Sequence, residues 1–182
     1  MEWIEGSALD LPVNSESFDV VLSAQTLQFV PEQALAVSEM KRALRPGGCA
    51  GASLWCSLDR NPYFDGLVAS ISELIGAGTA AGLRAAFGLS DEHEIRRLFE
   101  GAGFEEVVIK PARIDIDLPP ISDFVPRHIG ATPMASGYAA ASTESRAEVM
   151  RRMELVLEPF SAPDGSRVPF LQYLVTGVRP AV

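Results

Sequence analysis

The chain has 182 residues, enough for one core, and 47% of them are apolar, so hydrophobic material is not what limits folding. A net charge of −9 and a pI near 4.7 lack the basic footprint that phosphate backbones require, so nucleic acid is not an expected partner. Cys49 and Cys56 make neither a metal spacing nor a disulfide framework, and no run of about 18 apolar residues or basic, apolar leader follows Met1. That combination predicts a cytoplasmic chain without a membrane span.

Residues 1–6 read as a short strand carrying Trp3, followed by a turn through Ser7, Ala8, Leu11 and Pro12. Asp19 to Ser23 is an apolar run bounded by polar residues, which predicts a strand buried on both faces of a parallel sheet. Pro31 suits a first helical position, and Ala36, Met40, Ala43 and Leu44 then fall on one helical stripe. Arg45-Pro46-Gly47-Gly48 stops that helix, and Ala50 to Trp55 resumes as a strand, which completes a βαβ unit. Asn61-Pro62 starts the next helix, with Phe64, Leu67, Val68, Ile71, Leu74 and Ile75 on its apolar face. Ala77 to Gly88 predicts a short helix. Asp91 and Glu94 resemble a capping box ahead of the stripe Ile95, Leu98, Phe99 and Ala102, and His93 in that first turn is expected in solvent. Val107 to Leu118 predicts a strand with one wet face, because Ile114, Ile116 and Leu118 alternate with Arg113, Asp115 and Asp117. A helix over Glu144 to Phe160 and a strand over Val168 to Val178 finish the pattern.

The ordered set Leu11-Pro12, Phe18-Asp19-Val20-Val21, Leu27-Gln28-Phe29, Glu39-Met40 and Leu44-Arg45-Pro46-Gly47-Gly48 resembles the middle of class I S-adenosylmethionine-dependent methyltransferases of the type 11 small-molecule group. The resemblance implies an α/β, Rossmann-like sheet with helices on both faces. It also implies a single partial domain over residues 1–182, with helical cap insertions at 59–90 and 121–165. S-adenosyl-L-methionine is the implied cofactor and a small, partly apolar metabolite the implied methyl acceptor. The family's acidic contact to the adenine amino group falls on Ser7, with Ala8 offering its backbone N–H, although Ser7 can equally be a turn former. Ser23, Ala24 and Gln25 fall at the methionine end. There the alternative is a loop that carries Gln25 and Gln28 to solvent.

The family's glycine-rich cofactor turn and its ribose-binding acidic residue have no counterpart in this sequence, since Gly76-Ala77-Gly78 and Gly101-Ala102-Gly103 read as helix boundaries. The sequence therefore reads as N-terminally truncated, its first two strands absent, or as having a misassigned start at Met1. The Trp3 and Val20 strands are then expected either to pair directly or to borrow an edge from a second copy, as a homodimer. A base is needed only if the acceptor loses a proton, and His128 and Tyr138 are the candidates, each with a structural alternative. The helix bearing Val149, Met153, Val156 and Phe160 is either core or a lid over the acceptor. Two functions follow: a methyltransferase, or a noncatalytic methyltransferase-like domain that acts in association. A nucleotide-linked dehydrogenase is a third, without its own glycine fingerprint.

Overall fold

A computed structural model describes residues 2–181. The strands are β1 (Phe18–Ala24), β2 (Leu44–Trp55), β3 (Glu105–Leu118), β4 (Ser161–Ala162) and β5 (Gly165–Val178). The helices are α1 (Gln33–Ala43), α2 (Pro62–Leu74), α3 (Ala77–Ala85), α4 (Glu92–Gly101), α5 (Ile121–Gly130), α6 (Ala135–Ala140) and α7 (Thr143–Leu157). The sheet order is β1-β2-β5-β3, with β4 paired to β5. This is the mixed α/β architecture expected from the sequence. The chain forms two compact units, residues 1–56, 89–112 and 172–182 in the first and 57–88 and 113–171 in the second. Among the described residues no helix is long and apolar enough to cross a membrane.

In the first unit β1 runs parallel to β2, and β2 antiparallel to β5. The rungs that place Ser23 beside Ala52 and Ala52 beside Val175 bury the latter two. Ala36, Val37, Met40 and Ala43 of α1 are buried as well, and α1 contacts β1, β2 and α4. Next to it Asp91 caps α4 through its carboxylate, which accepts from Glu94 N at 2.8 Å, and Ile95 and Phe99 are fully buried. His93 is exposed, as expected.

The motif residues that carry the family resemblance bond to one another. Glu39 accepts from Leu11 N at 2.8 Å and from Arg42 Nε at 2.7 Å. The Arg42 guanidinium in turn donates to the carbonyls of Val13 and Leu11, both at 2.9 Å. The segment around Pro12 is thus clamped to α1. That arrangement holds the Glu39 carboxyl below its ordinary pKa, chiefly through the Arg42 hydrogen bond. At the carboxyl end of α1, Arg179 donates to the carbonyls of Lys41, Arg42 and Leu44 at 3.2, 3.4 and 2.6 Å, so a guanidinium helps satisfy the last turn's orphan acceptors.

Five expectations change here. Residues 2–6 form no strand; Met1 lies outside the described residues, and Trp3 is 87% exposed. Nothing pairs with that segment beyond an isolated Ser7–Asp10 bridge, so the direct pairing with the Val20 strand does not form. β1 is an edge strand with Val20 56% and Leu22 77% exposed, not a strand buried on both faces. α1 begins at Gln33 with Glu32 at its N-cap, which leaves Pro31 outside the helix. Arg45 to Gly48 is an irregularity inside β2 rather than a turn before it, since Gly47 N and Gly48 O both bond Arg179. A Cβ on Gly48 would sit 3.0 Å from the Asp19 carbonyl, so only glycine lets the two strands approach.

The second unit is mainly helical. α2 packs on α7, and a Cβ on Gly66 would fall 2.7 Å from Val156 Cγ1, so the missing side chain sets their approach. Phe64, Leu67, Val68 and Ile71 are buried from α2, and Val149, Met153 and Leu157 from α7. Asn61 precedes Pro62 as expected, yet its side chain does not cap the helix. Instead it accepts from Leu171 N at 2.8 Å and donates to Leu171 O and Ser57 O, each at 3.2 Å. Helices α5 and α6 were not legible, α5 because Pro126 lies inside it and α6 because it has only six residues. In β3, Ile114 and Ile116 remain 49% and 37% exposed, so the dry face expected for this edge strand is not dry.

Candidate functional site at the carboxyl end of β1

β1 ends in a residue with an unusual backbone. Gln25 has φ +50°, a left-handed conformation uncommon for a residue with a side chain. It is held there because its N–H donates to Ser53 O at 3.0 Å, which extends the β1–β2 ladder by one step. Thr26 Oγ1 then donates back to Ala24 O at 3.0 Å, and a 3-10 turn over Leu27–Phe29 buries Leu27 and Gln28.

Three amides meet at this turn. Gln28 Nε2 donates to Gln25 Oε1 at 2.7 Å, and Gln25 Nε2 donates to Gln172 Oε1 of β5 at 3.1 Å. Gln28 is only 8% exposed, and its Oε1 has no hydrogen-bond partner among the described residues. An acceptor buried out of reach of solvent and without a partner costs free energy in the folded chain. The solvent-bound loop alternative therefore fails for Gln28. Gln172 was missed by sequence reasoning. The signal was one amide inside the apolar run from Phe170 to Val175.

Beside the turn, Leu22, Ala24, Gly51, Ser53, Leu174 and Thr176 line a shallow concavity of about 320 Å³ on the open side of β1, β2 and β5. Gly51 keeps it open, since a Cβ there would meet Leu22 Cδ2 at 2.8 Å. Ser23 and Ala24 also border the concavity, and Gln25 follows them at its edge without lining it. Ser7 and Ala8 do not line it. Ser7 Oγ accepts from Leu9 N at 3.1 Å, which is the turn-forming role left open from the sequence.

His128 and Tyr138 lie on α5 and α6 of the second unit. Tyr138 is partly buried, which raises its pKa. His128 Nδ1 lies 2.7 Å from the hydroxyl of Tyr63, a residue not anticipated because its helical spacing marks it as ordinary core. Burial lowers the His128 pKa and pushes that of Tyr63 well above the ordinary phenol value. Among the described residues no group of three or more His, Cys, Asp or Glu could hold a metal.

Measured against the implied cofactor, the β1 end fits one part of it. The backbone around Ala24 and Gln25 suits the donor-bearing methionyl end. The apolar concavity offers no carboxylate for a ribose diol.

The type 11 methyltransferase domain family matches residues 1–50. A demethylmenaquinone methyltransferase of Staphylococcus carnosus is 30% identical over 121 residues, 60% of this chain and 50% of the relative. A probable phthiotriol/phenolphthiotriol dimycocerosates methyltransferase of Mycobacterium ulcerans is 44% identical over 48 residues, 26% of this chain and 19% of the relative. This chain thus spans about half the length of the staphylococcal relative. Among solved structures, a putative methyltransferase of Bacillus halodurans superposes with a TM-score of 0.55 at 19% identity, covering 98% of this chain and 71% of that one. One from an antibiotic biosynthesis pathway of Anabaena variabilis gives 0.57 at 14%, covering 95% and 72%. The fold is that of the Rossmann-like methyltransferases. The sequence match over residues 1–50 and the fold are both like those of the S-adenosylmethionine-dependent methyltransferases.

Proposed function

We propose that this chain serves S-adenosyl-L-methionine-dependent methyl transfer to a small, partly apolar acceptor. The observation that carries the reading is the concavity bordered by Ser23 and Ala24 beside the left-handed Gln25, at the strand end where open α/β sheets bind ligands. Ser23, Ala24 and Gln25 would hold the methionyl end of the cofactor, mainly by backbone groups, with the backbone of Ser7 and Ala8 toward the adenine. Bound there, the cofactor supplies an activated methyl group. The chain's own work is to orient the two reactants and exclude water, which can supply much of the acceleration. The apolar acceptor is supported by the two relatives, a demethylmenaquinone methyltransferase and a probable phthiotriol/phenolphthiotriol dimycocerosates methyltransferase.

Calorimetric titration of S-adenosylhomocysteine into the folded 182-residue chain tests this. Micromolar binding that weakens in Gln28→Met is the expected result, and no heat at high ligand would end the enzymatic reading for the chain by itself. A second reading, association through β1, is favoured by one observation: Val20, Leu22 and Leu174 are 56%, 77% and 46% exposed beside an unpaired strand edge. Homodimers that Leu22→Lys dissolves in sedimentation would support it; a monomer at all concentrations would rule it out.

A further inference from the structure

Among the described residues β3 pairs only with β5, so its other edge is open. The upstream part of that edge is guarded against a further strand. Glu106 takes φ +51°, Val107 O accepts from the Arg96 guanidinium at 2.7 Å, and Pro111 has no N–H to offer. Arg113 to Asp117, all within the second unit, differ: every residue there is exposed, so neither face of the strand is covered. A Cβ on Gly165 of β5 would strike Leu118 O, which puts that carbonyl on the β5 side. Backbone N–H and C=O groups of successive strand residues point alternately to the two sides. Arg113, Asp115 and Asp117 therefore turn theirs to the open edge.

We propose that Arg113 to Asp117 form a self-complementary edge, on which a second copy of this chain lays its own β3 antiparallel about a two-fold axis at Ile114. In that register Arg113 lies opposite Asp115 of the second copy, and the two exchange N–H and C=O groups as a hydrogen-bonded pair. Arg113 Nε already donates to Asp115 within the strand at 2.8 Å. Pairing would thus flank each of these charges with two of opposite sign. Asp117 would give its N–H to the Pro111 carbonyl of the second copy, and its own charge faces Arg167 of β5 at 3.7 Å. On the other face Ile114 and Ile116 are 49% and 37% exposed. There Ile114 would meet its own counterpart in the closer, non-hydrogen-bonded pair, with Ile116 alongside. The charge pattern selects this register over its neighbours. A centre on Arg113 or Asp115 sets like charges opposite each other, and one on Ile116 sets Asp115 against Asp117. A centre on Ala112 leaves Arg113 facing Pro111, which lacks the N–H for the pair. The edge is distinct from that of β1 and shares no residue with it.

Sedimentation equilibrium of the 182-residue chain tests this. One strand pair buries less than the roughly 1,200 Å² of stable interfaces, so a reversible dimer in the micromolar range is expected. Arg113→Asp and Asp115→Arg should each weaken it about tenfold, because like charges then face each other across the two-fold. Mixed in equal amounts, the two variants should regain the unsubstituted affinity as a heterodimer, since an acidic edge then meets a basic one. That recovery also shows that both variants are folded. A monomer at every concentration, single variants that dimerise as the unsubstituted chain does, or a mixture that stays as weak as its components would each overturn the proposal. So would a dimer that Leu22→Lys dissolves and both charge variants leave intact, because that dimer belongs to β1. None of these readouts involves S-adenosylhomocysteine, so the methyl-transfer reading stands or falls separately.

Discussion

Leu22 and Val20 of the first unit stand 77% and 56% exposed on a sheet face, while Leu67, Ile71 and Met153 of the second are fully buried. The first unit carries every motif that resembles the methyltransferases, yet it leaves apolar surface open. The second carries none of those motifs and buries a core around α2 and α7. The contrast separates two uses of sequence. In the first unit, Glu39, Arg42 and Arg179 act on backbone groups, clamping the Pro12 segment and the end of α1 so that β1 presents its carboxyl end in one geometry. In the second, side-chain volume does most of the work.

The largest expected effects test that division directly. Leu67→Ala and Ile71→Ala should each cost about 3–4 kcal/mol in denaturant unfolding, as buried truncations do, and Leu22→Ala under about 0.5 kcal/mol. A Leu22→Ala cost comparable to the core pair would show that this face is covered in solution. Next comes the clamp. Glu39→Ala should cost about 2 kcal/mol, because two charged hydrogen-bond systems lose their acceptor. The Glu39 carboxyl titrates below its ordinary value in the folded chain. Its contribution is therefore present above the unfolded carboxylate pKa and is lost as pH falls through the lower folded value. Urea midpoints between pH 7 and 3 should fall more for the unsubstituted chain than for Glu39→Gln; parallel curves would remove Glu39 from the account. The smallest effect sharpens the site. Gln28→Met should leave the free chain's stability unchanged or raise it by about 1 kcal/mol, since the open carbonyl disappears along with one hydrogen bond. A clear loss would make Gln28 a structural residue.

Much of this was legible in the sequence wherever a local rule decides. The stripe on α2, the Asp91 cap and the β1–α1–β2 order follow from spacing, capping and glycine or proline position. The family resemblance gave Ser23, Ala24 and Gln25 as neighbours of one strand end. What could not be read depended on partners far along the chain. Burial of β1 depends on what lies over its open face, not on Val20 and Leu22 themselves. Gln172 becomes part of the site only because β5 returns beside β2 and brings it to Gln25. Tyr63 reads as core, and its hydroxyl acquires meaning only once α5 sets His128 against it. Ser7 illustrates the opposite limit: a position matched to a family contact here spends its hydroxyl on its own turn.

The first unit is assembled from three stretches of chain, and the last of them, residues 172–182, includes the β5 rungs that pair with β2 and the Arg179 that closes α1. A ribosome delivers α2 and α7 complete before it delivers those rungs. During synthesis α2 and α7 can thus pack early, while β2, already paired with β1, waits with its other edge vacant until β5 emerges. The interval is a window for chaperone capture or mispairing. Slowing translation between α7 and β5 should lower the soluble yield more than the same pause placed ahead of α2.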